Sequence, residues 1–401
     1  MADRSGGRLA VMGGRAMFVW DDAYVRYDFG RQHPMRQVRA LLARDLAACL
    51  GVLDGMRQPA PTPADDRLLG LVHDLRYVNT LRDDPVFAAG VGPPDNPPFP
   101  GMHEAAALIV GGTVTAARAV WQGEVDHAVN LAGGLHHAMR DRASGFCLYN
   151  DLAVAIADLL DQGARCVAYV DVDAHHGDGV QAAFDADPRV VTISLHESGE
   201  ALFPGTGAPT EIGRDGGQGA AVNVALPPGT GDAGWLRAFH AVVPPLLRAV
   251  RPQVLVSQCG TDAHRRDPLA DLLVSVDAMA EVYAALHALA HEICDGRWVA
   301  TGGGGYVHAD VVPRAWTRLV AEMAGRPLDA HTEVPETWRA EARSHVPYEE
   351  PPTVMTDGAP AVWNPWHGGT GDPDDPVDRA IAATRTAIWP LYGLDPLDAR
   401  D

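Results

Sequence analysis

Residues 169–181, YVDVDAHHGDGVQ, decide how this 401-residue chain folds and where its chemistry lies. A β-prone run, 166–170, leads into the polar residues. Because side chains on a strand point to one face at every second residue, an extended chain would place Asp171, Asp173 and His175 side by side. Neighbouring carboxylates repel each other unless a cation lies between them, so the pattern predicts that Asp173 and His175 bind a divalent metal. The alternative is an ordinary turn, since Asp and Gly are common in turns.

Length and composition indicate a large folded protein with an acidic surface. The 401 residues could form one large α/β domain or two smaller ones, with 47% hydrophobic and 21% charged residues. The net charge of −20 argues against general affinity for nucleic acid and favours basic partners. The chain contains no lysine, so every basic side chain is Arg or His.

Signals for export or membrane insertion are not expected. No apolar run approaches the ~18 residues needed to span a bilayer, and residues 1–18 lack an apolar segment followed by a cleavage site. The cysteines are odd in number and lack paired spacing, which suits reduced thiols rather than a disulfide framework. They are Cys49, Cys147, Cys166, Cys259 and Cys294. We therefore expect a cytoplasmic protein with no membrane partner.

Strands and helices alternate along the chain. Strands are predicted at 16–20, 128–131, 166–170, 190–195, 220–226, 254–257 and 298–300. Helices are predicted at 38–53, 66–81, 105–121, 152–160, 180–186, 235–250, 276–293 and 311–323, with an interruption at Pro244 and Pro245. From about Gly325 the chain is expected to be irregular until a helical stretch at 381–388. The alternation predicts one parallel sheet with helices on both faces.

Polar side chains gather where four of the predicted strands end. In open parallel sheets ligands bind outside the carboxyl ends of the strands. The strand 128–131 is followed by His136 and His137, the strand 254–257 by Asp262, and the strand 298–300 by four glycines and Tyr306. Together with the residues after strand 166–170, these groups predict a metal site with acid and base groups beside it.

Each of these features has a simpler interpretation when it is taken alone. The pair His136 and His137 could be a polar loop, and Asp95 could be a turn residue. Phe146 and Phe203, each in a Gly-rich loop, could be core residues or could form the walls of a slot. The glycine run 302–305 resembles a phosphate-binding loop, but Tyr306 and a Pro-containing segment come directly after it and no ribose-binding acid is evident, which favours close approach of the backbone to a ligand.

Five motifs, taken together, resemble the histone deacetylase family. In that family's order the chain contains HHAMRDRASGFCLYND (136–151), YVDVDAHHGDGVQ (169–181), TISLHE (192–197) with FPGTG (203–207), QCGTDAH (258–264) with RDPL (266–269), and TGGGGY (301–306). The chain is most similar to the bacterial acetoin-utilisation (AcuC-like) deacetylases, over about 27–319. The resemblance implies the single-domain arginase/deacetylase fold, with a catalytic domain at 1–325 and a C-terminal extension at 326–401 packed on it.

Residue roles follow from matching these motifs position by position. The resemblance implies that Asp173, His175 and Asp262 bind the catalytic metal, which is normally Zn²⁺. Because two of these three ligands are carboxylates, Fe²⁺ is also compatible with the set. The implied catalytic groups are His136 and His137 with their carboxylate partners Asp171 and Asp178, and Tyr306. The implied substrate-binding groups are Asp95 at the rim, Phe146 and Phe203 as tunnel walls, Leu269, Gly304 and Gly305. Arg39 matches a buried arginine below the tunnel.

The resemblance also implies a structural potassium ion. Its ligands would come from Asp171, Asp173, His175, Ser194 and Leu195. The resemblance does not decide whether there is a second potassium site, because Ala220 occupies a position at which many relatives have an aromatic residue.

The implied activity is metal-dependent hydrolysis of N-ε-acetyl-lysine in proteins, which releases acetate. AcuC-like relatives are associated with acetylated acetyl-CoA synthetase, which is therefore the favoured partner. The alternative within the fold is an amide hydrolase for acetylpolyamines or other small molecules. A non-catalytic acetyl-lysine reader would lack a metal ligand or the tyrosine, and all of these are present. An arginase-like hydrolase with two metals would need more carboxylates than the motifs contain.

Overall fold

Seven parallel strands form the central sheet of the computed structural model, which describes residues 15–358 and 360–401. The strands are β1 (Ala16–Phe18), β2 (His127–Asn130), β3 (Val167–Asp171), β4 (Val190–Glu197), β5 (Ala221–Leu226), β6 (Val254–Gln258) and β7 (Trp298–Thr301). Their order across the sheet is β1-β2-β7-β6-β3-β4-β5. The prediction of an α/β protein with a parallel sheet is confirmed.

Helices cover both faces of this sheet. They are α1 (Val38–Cys49), α2 (Asp66–Leu69), α3 (Leu75–Asp83), α4 (Met102–Trp121), α5 (Asp151–Asp161), α6 (Asp178–Phe184), α7 (Asp232–Val250), α8 (Val276–Ile293), α9 (Val311–Met323), α10 (Glu336–His345) and α11 (Pro376–Ile388). Successive residues of β3 belong to two different apolar clusters, with Tyr169 in one and Val170 in the other. Since both faces are buried, the strand is a continuous apolar run and not an alternating one.

Four neighbouring strands in the middle of the sheet end at the same edge. Asn130 of β2 pairs with Thr301 of β7, Thr301 pairs with Gln258 of β6, and Gln258 pairs with Asp171 of β3. The loops that follow these four strands therefore start side by side. This register brings together the four polar segments that are far apart in the sequence.

The segment 66–81 is two helices and not the single predicted helix. α2 ends at Gly70, whose backbone closes its last turn. A new helix begins at Asp74, where the side-chain carboxylate accepts a hydrogen bond from the Arg76 N–H at 2.7 Å. Because an aspartate at this position satisfies an N–H that a helix start leaves free, it fixes the beginning of α3.

The predicted interruption of helix 235–250 is also wrong, because α7 continues through Pro244 and Pro245. A proline inside a helix removes the N–H that would bond to the carbonyl four residues earlier. For Pro245 that carbonyl belongs to Ala241, and it accepts a hydrogen bond at 2.8 Å from Nη1 of Arg385 in α11. Arg385 is fully buried between the rings of Trp366 and Trp389, so a distant side chain replaces the lost helical bond.

The C-terminal extension contains a helix, α10, where the sequence predicted irregular chain. Only Trp338 and Ala342 of α10 are buried, so its apolar stripe is too narrow to stand out in the sequence. The indole N–H of Trp338 donates to the Leu42 carbonyl of α1 at 2.9 Å. Farther along, Thr384 of α11 donates to the Asn223 carbonyl of β5 at 2.6 Å. Packing of the extension on the catalytic domain as one folding unit stays a prediction.

Within residues 15–358 and 360–401, none of the helices combines the length and the apolar character that a bilayer span requires. All five cysteines have free thiols. The expectation of no export signal rests on residues 1–18, of which 1–14 lie outside the described range.

Replacing Trp338 with alanine tests whether the extension and the catalytic domain unfold together. Trp338 has no exposed surface, and truncating a buried tryptophan costs about 3–5 kcal/mol. We expect urea unfolding to remain one transition with a lower midpoint. Thr337→Ala, at an exposed position of the same helix, should leave the midpoint nearly unchanged. A separate early transition in Trp338→Ala would show instead that the extension is an independent unit.

Candidate active site

Asp173, His175 and Asp262 come together at the carboxyl edge of the sheet. β3 ends at Asp171, and the chain bends beyond it, so Asp173 and His175 reach the site from a loop rather than from an extended strand. Nδ1 of His175 lies 2.9 Å from Oδ2 of Asp262 and 3.2 Å from Oδ1 of Asp173. One ligand atom from each residue lies within 4.8 Å of the others, and all three residues are buried.

The chemistry and spacing of this set fit a divalent metal. Metal–ligand bonds of 2.0–2.2 Å in a tetrahedral site place the ligand atoms about 3.3–3.6 Å apart, close to the distances between these side chains. Burial and the neighbouring charge of Asp173 both raise the pKa of Asp262. A bound cation would offset both effects, because it stabilises the two carboxylates in their charged form.

Hydrogen bonds from neighbouring loops hold these carboxylates in place. Oδ2 of Asp173 accepts from Nε2 of Gln258 at 2.6 Å and from the Gly304 N–H at 2.7 Å. Oδ1 of Asp262 accepts from the Ala174 N–H at 2.8 Å. A Cβ atom on Gly304 would collide with the Asp262 carboxylate. The glycine run therefore allows the backbone to approach the candidate metal ligands, and no helix begins directly after it.

The two adjacent histidines each bind a different carboxylate. The Nδ1–H of His136 donates to Asp171 at 2.8 Å, and the Nδ1–H of His137 donates to Asp178 at 2.7 Å. Their Nε2 atoms lie 3.0 Å apart. These bonds fix the orientation of both rings and leave both Nε2 atoms on the side of the cavity.

The surroundings shift the pKa values of the two histidines in opposite directions. Burial lowers the pKa of His136, but the carboxylates of Asp171 and Asp173 outweigh burial and raise it to about 9. Burial, together with the neighbouring His136, lowers the pKa of His137 to about 4 despite its bond to Asp178. At neutral pH the site thus pairs a cationic imidazole with a neutral one, which is typical of acid/base sites.

Tyr306 lies in the loop after β7, where two groups hold the backbone. Its N–H donates to Oδ2 of Asp267 at 2.8 Å, and the buried Arg39 donates to the Gly305 carbonyl at 2.6 Å. The Arg39 guanidinium carbon also lies 5.6 Å from the centre of the Tyr306 ring. Burial and the charge of Asp262 raise the pKa of Tyr306 well above its usual value, so the phenol stays protonated and can donate a hydrogen bond.

A cavity of about 220 Å³ opens above the ligand triad. Its lining consists of Asp95, His137, Gly145, Phe146, His175, Leu202, Phe203, Leu269 and Tyr306. Phe203 is 45% exposed, and its ring centre lies 5.0 Å from that of His137, so it is a wall of the cavity and not a core residue. A smaller space of about 20 Å³ lies deeper, beside His136 and Gly304. That volume is enough for about one water molecule.

The remaining predicted residues lie at the rim and behind the site. Asp95 is exposed at the mouth, where its backbone carbonyl accepts from Nε2 of His33 at 3.0 Å. Ser194 of β4 pairs with Asp171 of β3, and Leu195 follows it, so these three of the five residues proposed for potassium are neighbours. Binding of potassium there stays a prediction.

Several supporting residues were not identified from the sequence. The Tyr169 hydroxyl donates to Asp171 at 2.5 Å, and Gln258 and Asp267 hold Asp173 and the Tyr306 backbone as described above. Asp151 accepts the N–H groups of Gly134 and Leu135 and so positions the loop that carries the histidine pair. Each of these residues belongs to one of the quoted motifs, and that membership is the sequence signal that could have identified them.

Comparisons with known proteins agree with this geometry. The histone deacetylase domain family matches residues 33–323. The acetoin utilization protein AcuC of Bacillus subtilis (strain 168) is 41% identical over 344 residues, which cover 84% of this chain and 88% of that protein. AcuC of Staphylococcus aureus (strain MSSA476) is 37% identical, with 79% and 83% covered, and AcuC of Staphylococcus xylosus is 34% identical, with 80% and 85% covered. The chain therefore belongs to the histone deacetylase family of hydrolases and has its arginase/deacetylase fold.

Proposed function

We propose that this protein is a metal-dependent lysine deacetylase that hydrolyses N-ε-acetyl-lysine in proteins and releases acetate. The observation that carries the proposal is the cavity itself. It is lined by the aromatic rings of Phe146 and Phe203 and ends at two of the candidate metal ligands, Asp173 and His175, with the histidine pair and Tyr306 beside them. Groups that can bind a metal, transfer a proton and stabilise an oxyanion therefore meet at its inner end.

The size and lining of the cavity support a substrate with a narrow apolar stem. Pockets for drug-sized ligands measure about 300–1,000 Å³, so about 220 Å³ suits a single extended side chain. The rings of Phe146 and Phe203 would contact the methylene groups of a lysine. The inner space of about 20 Å³ is enough for about one water molecule and leaves no room for a long acyl chain, which favours a small acyl group such as acetyl.

Asp173, His175 and Asp262 would hold the metal, and Zn²⁺ is the ion we propose, with Fe²⁺ as the alternative. When bound, the metal would polarise the amide carbonyl and lower the pKa of a water molecule. A structural K⁺ ion beside Asp171 and Ser194 is a further proposal, which rests on family resemblance.

The remaining steps are assigned to side chains of the chain itself. The neutral His137 would accept the proton of the attacking water at Nε2 and later donate a proton to the leaving amine. The cationic His136 would stabilise the negative charge that develops beside it. The Tyr306 hydroxyl would donate a hydrogen bond to the oxyanion, a contribution worth about 3–4 kcal/mol.

The natural substrate is proposed from resemblance and from the rim of the cavity. Resemblance to the AcuC-like deacetylases is the sole basis on which acetylated acetyl-CoA synthetase is proposed as the partner. The Asp95 carboxylate at the rim would accept hydrogen bonds from the N–H groups of a bound peptide backbone. An acetylpolyamine is the alternative, because its ammonium groups would also be attracted to Asp95 and to the net charge of −20.

The first test of this proposal removes a metal ligand. Asp262→Ala should lose one metal equivalent relative to the wild type, and kcat should fall by ~10³-fold or more, since the metal supplies several kcal/mol of stabilisation. Metal content per chain and acetate release are the measurements. Asp141→Asn, which changes an exposed carboxylate, is the control. An Asp262→Ala protein with the full metal content would contradict the ligand assignment.

The second test removes one hydroxyl. Tyr306→Phe should keep the metal and the KM but reduce kcat by ~10²–10³-fold, because a donor to the oxyanion acts in the transition state and not in substrate binding. Steady-state kinetics with an acetyl-lysine peptide measures the effect. Tyr348→Phe, at an exposed tyrosine, should change nothing. Near-normal turnover of Tyr306→Phe would exclude Tyr306 from the mechanism.

The third test distinguishes peptide from polyamine substrates. We expect a higher kcat/KM for an acetyl-lysine peptide than for N-acetylputrescine. Asp95→Asn should lower peptide kcat/KM by ~10-fold, because it weakens a partly exposed charged hydrogen bond worth about 1–2 kcal/mol. Asp83→Asn, at an exposed position of α3, is the matched control. If the wild type prefers N-acetylputrescine, the acetylpolyamine alternative replaces the protein deacetylase proposal.

A further inference from the structure

A second group of histidines lies at the opposite edge of the sheet from the active site. His127 is the first residue of β2, and His287 and His291 lie one turn apart near the end of α8. The ring centres are 4.7 Å apart for His127 and His287, 5.0 Å for His127 and His291, and 4.9 Å for His287 and His291. One ring nitrogen from each residue lies within 4.8 Å of the others.

We propose that His127, His287 and His291 form a second metal site, which binds a divalent transition metal such as Zn²⁺ through their Nε2 atoms. Imidazole is a ligand that suits Zn²⁺, Ni²⁺ and Cu²⁺. The Nε2 atoms of His287 and His291 are 3.2 Å apart. Two imidazoles bound to one tetrahedral Zn²⁺ place these atoms about 3.3–3.4 Å apart, so this pair already has the required spacing.

The hydrogen bond of His127 leaves one nitrogen available to a metal. Nδ1 of His127 donates to the backbone carbonyl of Met323, at the end of α9, at 2.8 Å. Its Nε2 is fully buried and, among residues 15–358 and 360–401, has no hydrogen-bond partner. Histidines that bind metals commonly donate their other N–H to a carbonyl or carboxylate, which fixes the ring. A buried nitrogen without a partner is unfavourable, and a bound metal would remove that penalty.

Neighbouring side chains can orient His287, and the partial exposure of His291 gives a metal ion access to the cluster. Nδ1 of His287 lies 3.8 Å from Oε2 of Glu322, a carboxylate that can orient the ring and balance the charge of the ion. The Trp298 ring stacks beside His287, with centres 6.0 Å apart and an angle of 25° between the rings. His291 is half-buried, so the cluster is open to solvent on one side. An ion could enter there and keep water as its fourth ligand.

This cluster is separate from the proposed catalytic site. His127 begins β2, whereas the catalytic histidines follow the end of that strand, and four residues of strand alone span about 13 Å. The cluster contains no carboxylate among its three candidate ligands. An ion bound there would connect the start of β2 to α8 and, through His127, to the end of α9, so its expected effect is on stability.

Counting metals in full-length variants tests the proposal. After dialysis against micromolar Zn²⁺, the wild type should contain two equivalents per chain, and His291→Gln should contain one. We expect the Zn²⁺ affinity of the second site to fall by ~100-fold or more, since changing only the partners of metal ligands costs 10–100-fold. Asp262→Ala should keep the equivalent that His291→Gln loses, so failure of this site and failure of the proposed active site give different results.

Thermal unfolding provides the second readout. Zn²⁺ should raise the Tm of the wild type and of His240→Gln, a control histidine of α7 that stacks on Trp363 at 4.2 Å, by more than it raises the Tm of His291→Gln, whose smaller increase would come from the active-site ion alone. His287→Gln should behave as His291→Gln does. A wild type that binds no metal beyond the one removed by Asp262→Ala would overturn the proposal. The same conclusion would follow if His291→Gln kept two equivalents, because the three rings would then be only packed aromatic side chains.

Discussion

Burial of several carboxylates at one edge of the sheet is the constraint on which the rest of this structure depends. Asp171, Asp173 and Asp262 have almost no exposed surface, and a buried charge is unfavourable unless hydrogen bonds or opposite charges surround it. The partners come from loops that follow different strands, including the side chain of Gln258 and the N–H of Gly304. These loops must therefore lie within hydrogen-bond distance, and only glycine allows the backbone after β7 to come so close.

The same acidic surroundings explain how two adjacent histidines acquire different protonation states. Each imidazole has its own carboxylate partner, but His136 also lies near a second carboxylate, Asp173, whereas His137 lies next to the cationic His136. Burial disfavours a charged ring at both positions; the additional carboxylate outweighs burial at His136, whereas the neighbouring positive charge adds to it at His137. One charged and one neutral imidazole therefore follow from the order of charges around the pair, and not from any difference in the residues themselves.

The sequence was informative wherever a property is local. The apolar runs located all seven strands to within a few residues, and the motifs after β2, β3, β6 and β7 located the candidate site. It could not predict that β7 lies between β2 and β6, because strand order depends on contacts between distant segments. For the same reason α7 was predicted to break at Pro245, since the arginine that satisfies the freed carbonyl lies in α11. The end of α2 depends on Gly70 and the beginning of α3 on Asp74, and the apolar period revealed neither.

The histidine cluster at the other edge of the sheet shows what family motifs leave out. His127, His287 and His291 lie outside all five motifs that resemble the deacetylase family, and no spacing in the sequence links the first to the other two. They meet because β2 begins beside the end of α8, with Met323 of α9 accepting the remaining N–H of His127. Motifs identify the groups that a shared reaction requires. A further site, such as the proposed second metal site, can arise from contacts between segments that the motifs do not include.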